Sequence, residues 1–202
     1  MKMFKGLVAV TSIVLSAQVF AIPTFDTLAD QANADGGNIT KSNFNYTALT
    51  FDEVWSKQSG AEVKFKAEIS GYNNAMGYAN TDGSGATTVL NEAGSPGSWV
   101  SIAAAPDPFV FFLDTGTGLN WFSKNSLNSD GLDHLLVFQY ADSSSRYILF
   151  WDDQDGGVQS DRDFNDFVAR VNFVHPVPEP GTLALLGLGM AGLAMSRRRK
   201  QQ

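Results

Sequence analysis

Residues 61–70, AEVKFKAEIS, alternate cleanly: Val63, Phe65, Ala67 and Ile69 fall on one side, Lys64, Lys66 and Glu68 on the other. A period of two over that length predicts a strand with one dry and one wet face, the habit of antiparallel sheets. Three later runs, Leu135 to Tyr140 (LLVFQY), Tyr147 to Trp151 (YILFW) and Phe167 to Val174 (FVARVNFV), are rich in β-branched and aromatic residues and predict three more strands. In the last, Phe167, Ala169, Val171 and Phe173 share a face, while Arg170 and Asn172 take the other. Trp99 to Ala103 and Phe109 to Leu113 are shorter apolar runs, separated by Pro106 and Pro108, which cannot sit inside a central strand. Tyr46 to Val54 is a further strand candidate, with Phe51, Val54 and Trp55 available for packing.

Between Gly71 and Gly97 the chain is rich in Gly, Asn, Ser and Thr, and NTDGSGATT from Asn80 to Thr88 reads as a loop or hairpin tip. No long amphipathic helix is visible between the two ends. The expectation is an all-β antiparallel sandwich or jelly-roll-like body, as one domain or two closely packed halves.

Both ends carry a different pattern. Lys2 and Lys5 precede an apolar run from Gly6 to Val14, and Val19-Phe20-Ala21 offers the small residues a signal peptidase requires. A signal helix over residues 1–21 is expected, with the mature chain starting near Ile22. At the other end stand Pro178-Glu179-Pro180, an apolar run from Leu183 to Met195, and Arg197-Arg198-Arg199-Lys200. The run is short against the roughly 20 residues of a spanning helix, and Gly181, Thr182 and Ser196 extend it. Cations directly after it predict a cytoplasmic tail and an outward-facing body.

This tripartite tail resembles the PEP-CTERM sorting signal of Gram-negative bacteria, in which Pro-Glu-Pro, a membrane helix and an arginine cluster are read by an exosortase. The resemblance implies a membrane-held intermediate in the inner membrane, a cut near Val177 to Pro180, and release or attachment at the cell surface. Signal peptidase and exosortase are the implied processing partners. The expected plan is a signal peptide over 1–21, an extracytoplasmic body over 22–177, and a sorting signal over 178–202.

Removing the ends changes the charge. Of fourteen Lys and Arg, six lie in the two ends, leaving eight against twenty Asp and Glu, since only Glu179 of the twenty-one acids departs. Such a surface repels nucleic acid and anionic membrane and attracts cations. The chain has no cysteine, which excludes a disulfide-stapled fold and a thiol nucleophile.

The acids concentrate in WDDQDGGVQSDRDFNDF, Trp151 to Phe167, the connection between two predicted strands. A buried unpaired carboxylate is costly, so Asp152, Asp153, Asp155, Asp161, Asp163 and Asp166 are expected either in water or around a cation. Hard oxygen ligands in a Gly-containing loop suit calcium; Asp153, Asp155, Asp161, Asp163 and Asp166 are the candidate ligands, with Arg162 available to neutralise a carboxylate left outside. The competing account is turn chemistry, in which Asp163, Asn165 and Asp166 cap the backbone. NSLNSDGLDH, Asn125 to His134, offers a second cluster of Asn128, Asp130 and Asp133, fully explicable as a turn or able to share an ion if the loops meet.

DGLDHLLVFQY, YILFWDD and GGVQSDRDFNDFVARV together resemble an uncharacterised β-domain family of secreted and surface bacterial proteins, over Trp99 to Val174. That family ends in Gly-Gly-x-Asp-Arg-Asp-Tyr/Phe-Asn-Asp before a last strand; here Val158-Gln159-Ser160 lengthens the spacer. It implies no activity.

With only His134 and His175, no thiol and no Gly-x-Ser-x-Gly elbow, catalysis is not expected. The expected function is a structural protein of the surface or biofilm matrix, stabilised by calcium, with exopolysaccharide as a partner. The alternative is a calcium-dependent, lectin-like carbohydrate-binding module, with Trp121 as the saccharide contact and its exposure as the discriminator.

Overall fold

The computed structural model describes residues 22–49, 54–91, 97–154 and 162–177, together with Leu188 and Met190. Among residues 22–177 as described, nine strands follow one α-helix in the order α1 (Phe25–Ala34), β1 (Val54–Glu68), β2 (Ala75–Ala79), β3 (Thr87–Asn91), β4 (Val100–Ser101), β5 (Val110–Asp114), β6 (Asn120–Phe122), β7 (Leu135–Gln139), β8 (Arg146–Trp151) and β9 (Phe167–Val177). They form a five-stranded sheet, β4-β1-β9-β8-β7, and a four-stranded sheet, β3-β2-β5-β6, both antiparallel.

The two sheets enclose one core. The five-stranded sheet contributes Val63, Phe65, Val137, Leu149, Trp151, Phe167, Ala169 and Val171, and the four-stranded sheet contributes Met76, Tyr78, Phe111, Leu113 and Trp121. The all-β sandwich is therefore present, and since β1 lies beside β9, early and late segments share this core rather than forming separate halves.

The expected strands at 61–70, 99–103, 109–113, 135–140, 147–151 and 167–174 correspond to β1, β4, β5, β7, β8 and β9. Two faces differ from the simple alternation. Between Phe65 and Ala67 the β1–β9 register slips by a bulge, so Val63 and Phe65 face the inner core while Ala67 joins the outer cluster and Ile69 is exposed. At the far end of β9, Phe173 adopts a left-handed φ of 58° and is exposed; Val174 turns inward in its place.

Strands β2 and β3 lie in the stretch expected as loop, with Asn80 to Ser84 forming the hairpin tip. Gly77 allows this pairing, because a Cβ there would stand 2.1 Å from the Thr87 carbonyl oxygen. From the Tyr46–Val54 candidate, Leu49 forms an isolated bridge to Val137, Val54 opens β1, and residues 50–53 lie outside the described residues.

A helix was not expected in the body. Thr24 caps α1 by accepting from the Thr27 amide at 3.3 Å, and Phe25, Leu28, Ala29 and Ala32 bury one face at helical spacing. That face packs with Phe44, Phe138, Tyr140, Phe150 and Val168 on the outer surface of the five-stranded sheet. The signal helix falls on residues outside the description, as does the membrane helix apart from Leu188 and Met190; among the described residues no helix is long and apolar enough to cross a membrane.

Candidate functional site

Asp152 and Asp153 follow directly on β8, and Asp166 directly precedes β9, so the last rung, Trp151 against Phe167, fixes their approach. The ladder continues past the strands: the Asp166 amide donates to the Trp151 carbonyl at 3.1 Å, and the Asp152 amide to the His134 carbonyl at 2.9 Å. The Asp153 amide then donates to Asp166 Oδ2 at 2.9 Å.

These carboxylates are not in water. Asp152 is 0 % exposed, Asp153 3 % and Asp166 6 %, so of the two expected surroundings, water or a cation, water does not enclose these three. Protein donors replace water at each of them, the Gln154 amide donating to Asp152 Oδ1 at 3.2 Å. Asp153 Oδ2 accepts from Asn74 Nδ2 at 2.8 Å and from the Ser70 hydroxyl, both on the β1–β2 connection, while Asp166 has the Asp153 amide. Burial nonetheless pushes the Asp166 carboxyl up to about 8, with the charges of Asp153, Asp163 and Asp152 adding to the effect. Four acidic side chains thus lie within one electrostatic neighbourhood.

Asp163 is half-buried and bonds to its neighbour: it accepts from the Asn165 amide at 3.3 Å and from Asn165 Nδ2 at 2.6 Å. Capping chemistry is therefore present. Its flanks, Arg162 and Phe164, both take left-handed φ values, 49° and 55°. Arg162 donates to the Asp133 carbonyl at 3.1 Å and lies over the Phe164 ring, so its visible partners are a main chain and a ring. Asp155 and Asp161 lie outside the described residues.

Two neutral oxygens complete the description. Asn74 and Asn165 are 1 % and 4 % exposed, each amide nitrogen donates to an aspartate of the cluster, and each Oδ1 is buried with no hydrogen-bond partner among the described residues. The donor set is entirely oxygen, which suits a hard cation such as calcium. Among the described residues, no group of three or more His, Asp and Glu is placed to hold a metal ion. A bound calcium would therefore draw on the Asn74 and Asn165 amide oxygens beside Asp153 and Asp166.

The second cluster meets the first. The His134 ring approaches the Asp152 carbonyl at 3.2 Å and Asp130 Oδ2 at 3.0 Å, and burial lowers its pKa against the opposing pull of Asp130. Asn128 ties the Phe122 and Leu132 main chains, Asp130 accepts from the Leu132 amide, and Asp133 from the Leu135 amide, all turn chemistry. Trp121 stacks on His134 at 3.9 Å and 6° and is fully buried, which corrects the saccharide contact that the lectin-like alternative assigned to it. The pleat decides this: in β6 Trp121 faces the inner core and its neighbour Phe122 packs on the other side with Phe112. Ser70 and Asn74 were not anticipated, because nothing in a Gly/Asn-rich stretch some eighty residues away marks them as partners of Asp153.

Residues 176–200 match the PEP-CTERM protein-sorting motif. The match starts inside β9, where Pro176 and Val177 pair with Trp55 and Val54. Pro178, Glu179, Pro180, Arg197, Arg198 and Arg199 fall within it but outside the described residues. No curated protein matches the chain, and no solved structure does.

Proposed function

We propose that this chain, exported and sorted through the cell envelope by its PEP-CTERM motif, is a non-enzymatic structural protein of a Gram-negative surface or biofilm matrix, held at one end by calcium. The observation that carries the reading is the convergence of Asp152, Asp153, Asp163 and Asp166 at the end of the sandwich, three of them buried, in a body with a large excess of acids. A folded domain tolerates such a cluster most readily when a cation neutralises it.

Calcium at this point would act on architecture. Asp153 is tied to Ser70 and Asn74, where the chain passes from β1 of one sheet to β2 of the other, and Asp166 opens the central strand β9. An ion joining them would fasten both sheets at once. His134, the buried histidine, is engaged by stacking and two hydrogen bonds, an arrangement that serves positioning rather than proton transfer.

Thermal unfolding of the purified protein in calcium and in chelator tests this reading. Calcium at a hundred times its dissociation constant adds about 2.7 kcal/mol of stability. Asp153→Asn with Asp166→Asn removes the increment, and an unchanged midpoint in the wild-type protein would sink the calcium reading.

A further inference from the structure

Of the four tryptophans, Trp55, Trp121 and Trp151 are fully buried, whereas Trp99, just before β4, is 39 % exposed. The Lys64 ammonium lies 5.6 Å from the centre of the Trp99 ring. Lys64 in turn sits directly across from Arg170 on β9. The bulge after Phe65 brings Lys66 into reach of the same two charges. Lys64 and the exposed Trp99 ring thus meet on a strongly acidic body, with Arg170 and Lys66 at the neighbouring positions of β9 and β1.

Among the described residues none of these three cations makes an ion pair. Like charges directly opposed on neighbouring strands are destabilising. Lys66 is only 8 % exposed, with no hydrogen bond or ion pair among the described residues, and burial pushes its pKa down to about 8, Arg170 and Lys64 adding to the fall. Arg170 donates to the Asn38 carbonyl at 3.5 Å and lies near the Tyr140 and Phe44 rings, and its Nε is buried without a partner. Of the acids on β1, Glu62 accepts from Asn172 and Glu68 from the Asn74 amide. Distant acids are screened over about 8 Å at physiological salt, so the local cations set the field at this spot.

An anion with a flat, C–H-rich face fits both halves of the site. A carboxylate would take the Lys64 ammonium, and the electropositive C–H face of a pyranose would lie against the electron-rich Trp99 ring. We propose that Trp99 and Lys64, with the positive potential of Lys66 and Arg170 beside them, form a binding site for a carboxylate-bearing saccharide, a uronate unit of an acidic polysaccharide. The site shares no residue with the calcium cluster, and it binds without calcium.

Calorimetric titration of the purified protein with polygalacturonate, and with neutral dextran, in chelator tests this directly. Polygalacturonate binds and dextran does not. Trp99→Ala and Lys64→Gln each weaken binding by about tenfold or more, the loss expected for one stacked ring or one charge-assisted contact, Lys66→Met weakens it less, and Lys124→Gln leaves it unchanged. Circular dichroism of each variant confirms a retained fold; Trp99→Ala, at an exposed position, keeps the comparison usable if Lys66→Met unfolds. Monomeric galacturonate displaces the polymer at lower concentration than acetate. Absence of polygalacturonate binding, equal binding by the wild-type protein and Trp99→Ala, or equal displacement by acetate and galacturonate would overturn the proposal. Because chelator is present throughout, none of these outcomes depends on the calcium reading.

Discussion

The indole Nε1 of Trp121 donates to the main-chain carbonyl of Asp153 at 2.8 Å. One residue of the four-stranded sheet therefore touches the backbone of the acidic connection between β8 and β9, and it does so from inside the core. Any ion that draws on Asp153 alters the polarity at that indole. Calcium should shift the tryptophan emission of the purified protein, and Trp121→Phe should remove the shift while leaving the calcium-dependent rise in unfolding temperature. A shift that persists in Trp121→Phe would place the reporter elsewhere.

Asp166 makes stability pH-dependent in a definite direction. Its carboxyl is raised to about 8 in the folded chain, against about 3.9 in an unfolded one, so the folded state holds the proton more tightly between those values. In chelator, stability is greatest near pH 4 as far as this group is concerned and falls as pH rises towards 8, by on the order of a few kcal/mol. Asp166→Asn keeps an oxygen for the Asp153 amide and removes the charge. It should stabilise the chelated protein at pH 8 and leave it nearly unchanged at pH 4, as read by urea denaturation at both values.

Gly77 is where β2 approaches β3 and β5 most closely. An added Cβ would meet the Thr87 carbonyl oxygen at 2.1 Å and the Phe112 ring at 2.7 Å. Gly77→Ala should cost more than the roughly 1–3 kcal/mol of ordinary overpacking, because main chain rather than a mobile side chain must yield. Hydrogen exchange should show lost protection in β2, β3 and β5 before β8 and β9.

Phe173 offers the opposite case. Its left-handed backbone costs a non-glycine residue roughly 1–2 kcal/mol, and its ring is substantially exposed, so Phe173→Gly should raise stability by about 1 kcal/mol in the same denaturation assay. Phe173→Val, β-branched at a positive φ, should lower it.

Helix α1 is testable through its cap and its buried face. Thr24→Ala should cost about 1 kcal/mol, and Leu28→Ala, at a fully buried position, about 2–5 kcal/mol. Equal and negligible effects from both would mean that the helix does not cover the five-stranded sheet.

Much of this was legible in advance where chemistry is local. Alternation in AEVKFKAEIS and the density of β-branched and aromatic residues in YILFW and FVARVNFV identified β1, β8 and β9 because a pleated strand has a period of two whatever surrounds it. The amphipathic spacing of Phe25, Leu28, Ala29 and Ala32 behind Thr24 is equally local, but over ten residues it stands out as a helix only once the sheet it packs on is known. Strands β2 and β3 were not legible. Their residues carry weak preferences, and pairing with β5 decides them.

By itself the sequence determined an all-β body, an acidic connection between its last two strands, and a sorting motif at its end, since each depends on composition or periodicity within a short window. Tertiary structure alone decided that Asp152, Asp153 and Asp166 are buried, that Ser70 and Asn74 come from the other side of the sandwich to hold Asp153, and that Trp99 rather than Trp121 faces outward. The reason is common to all three: the cost of burying a charge and the side to which a ring points depend on partners far away in the chain. Register, bulges and sheet order choose those partners, and a local pattern carries no record of them.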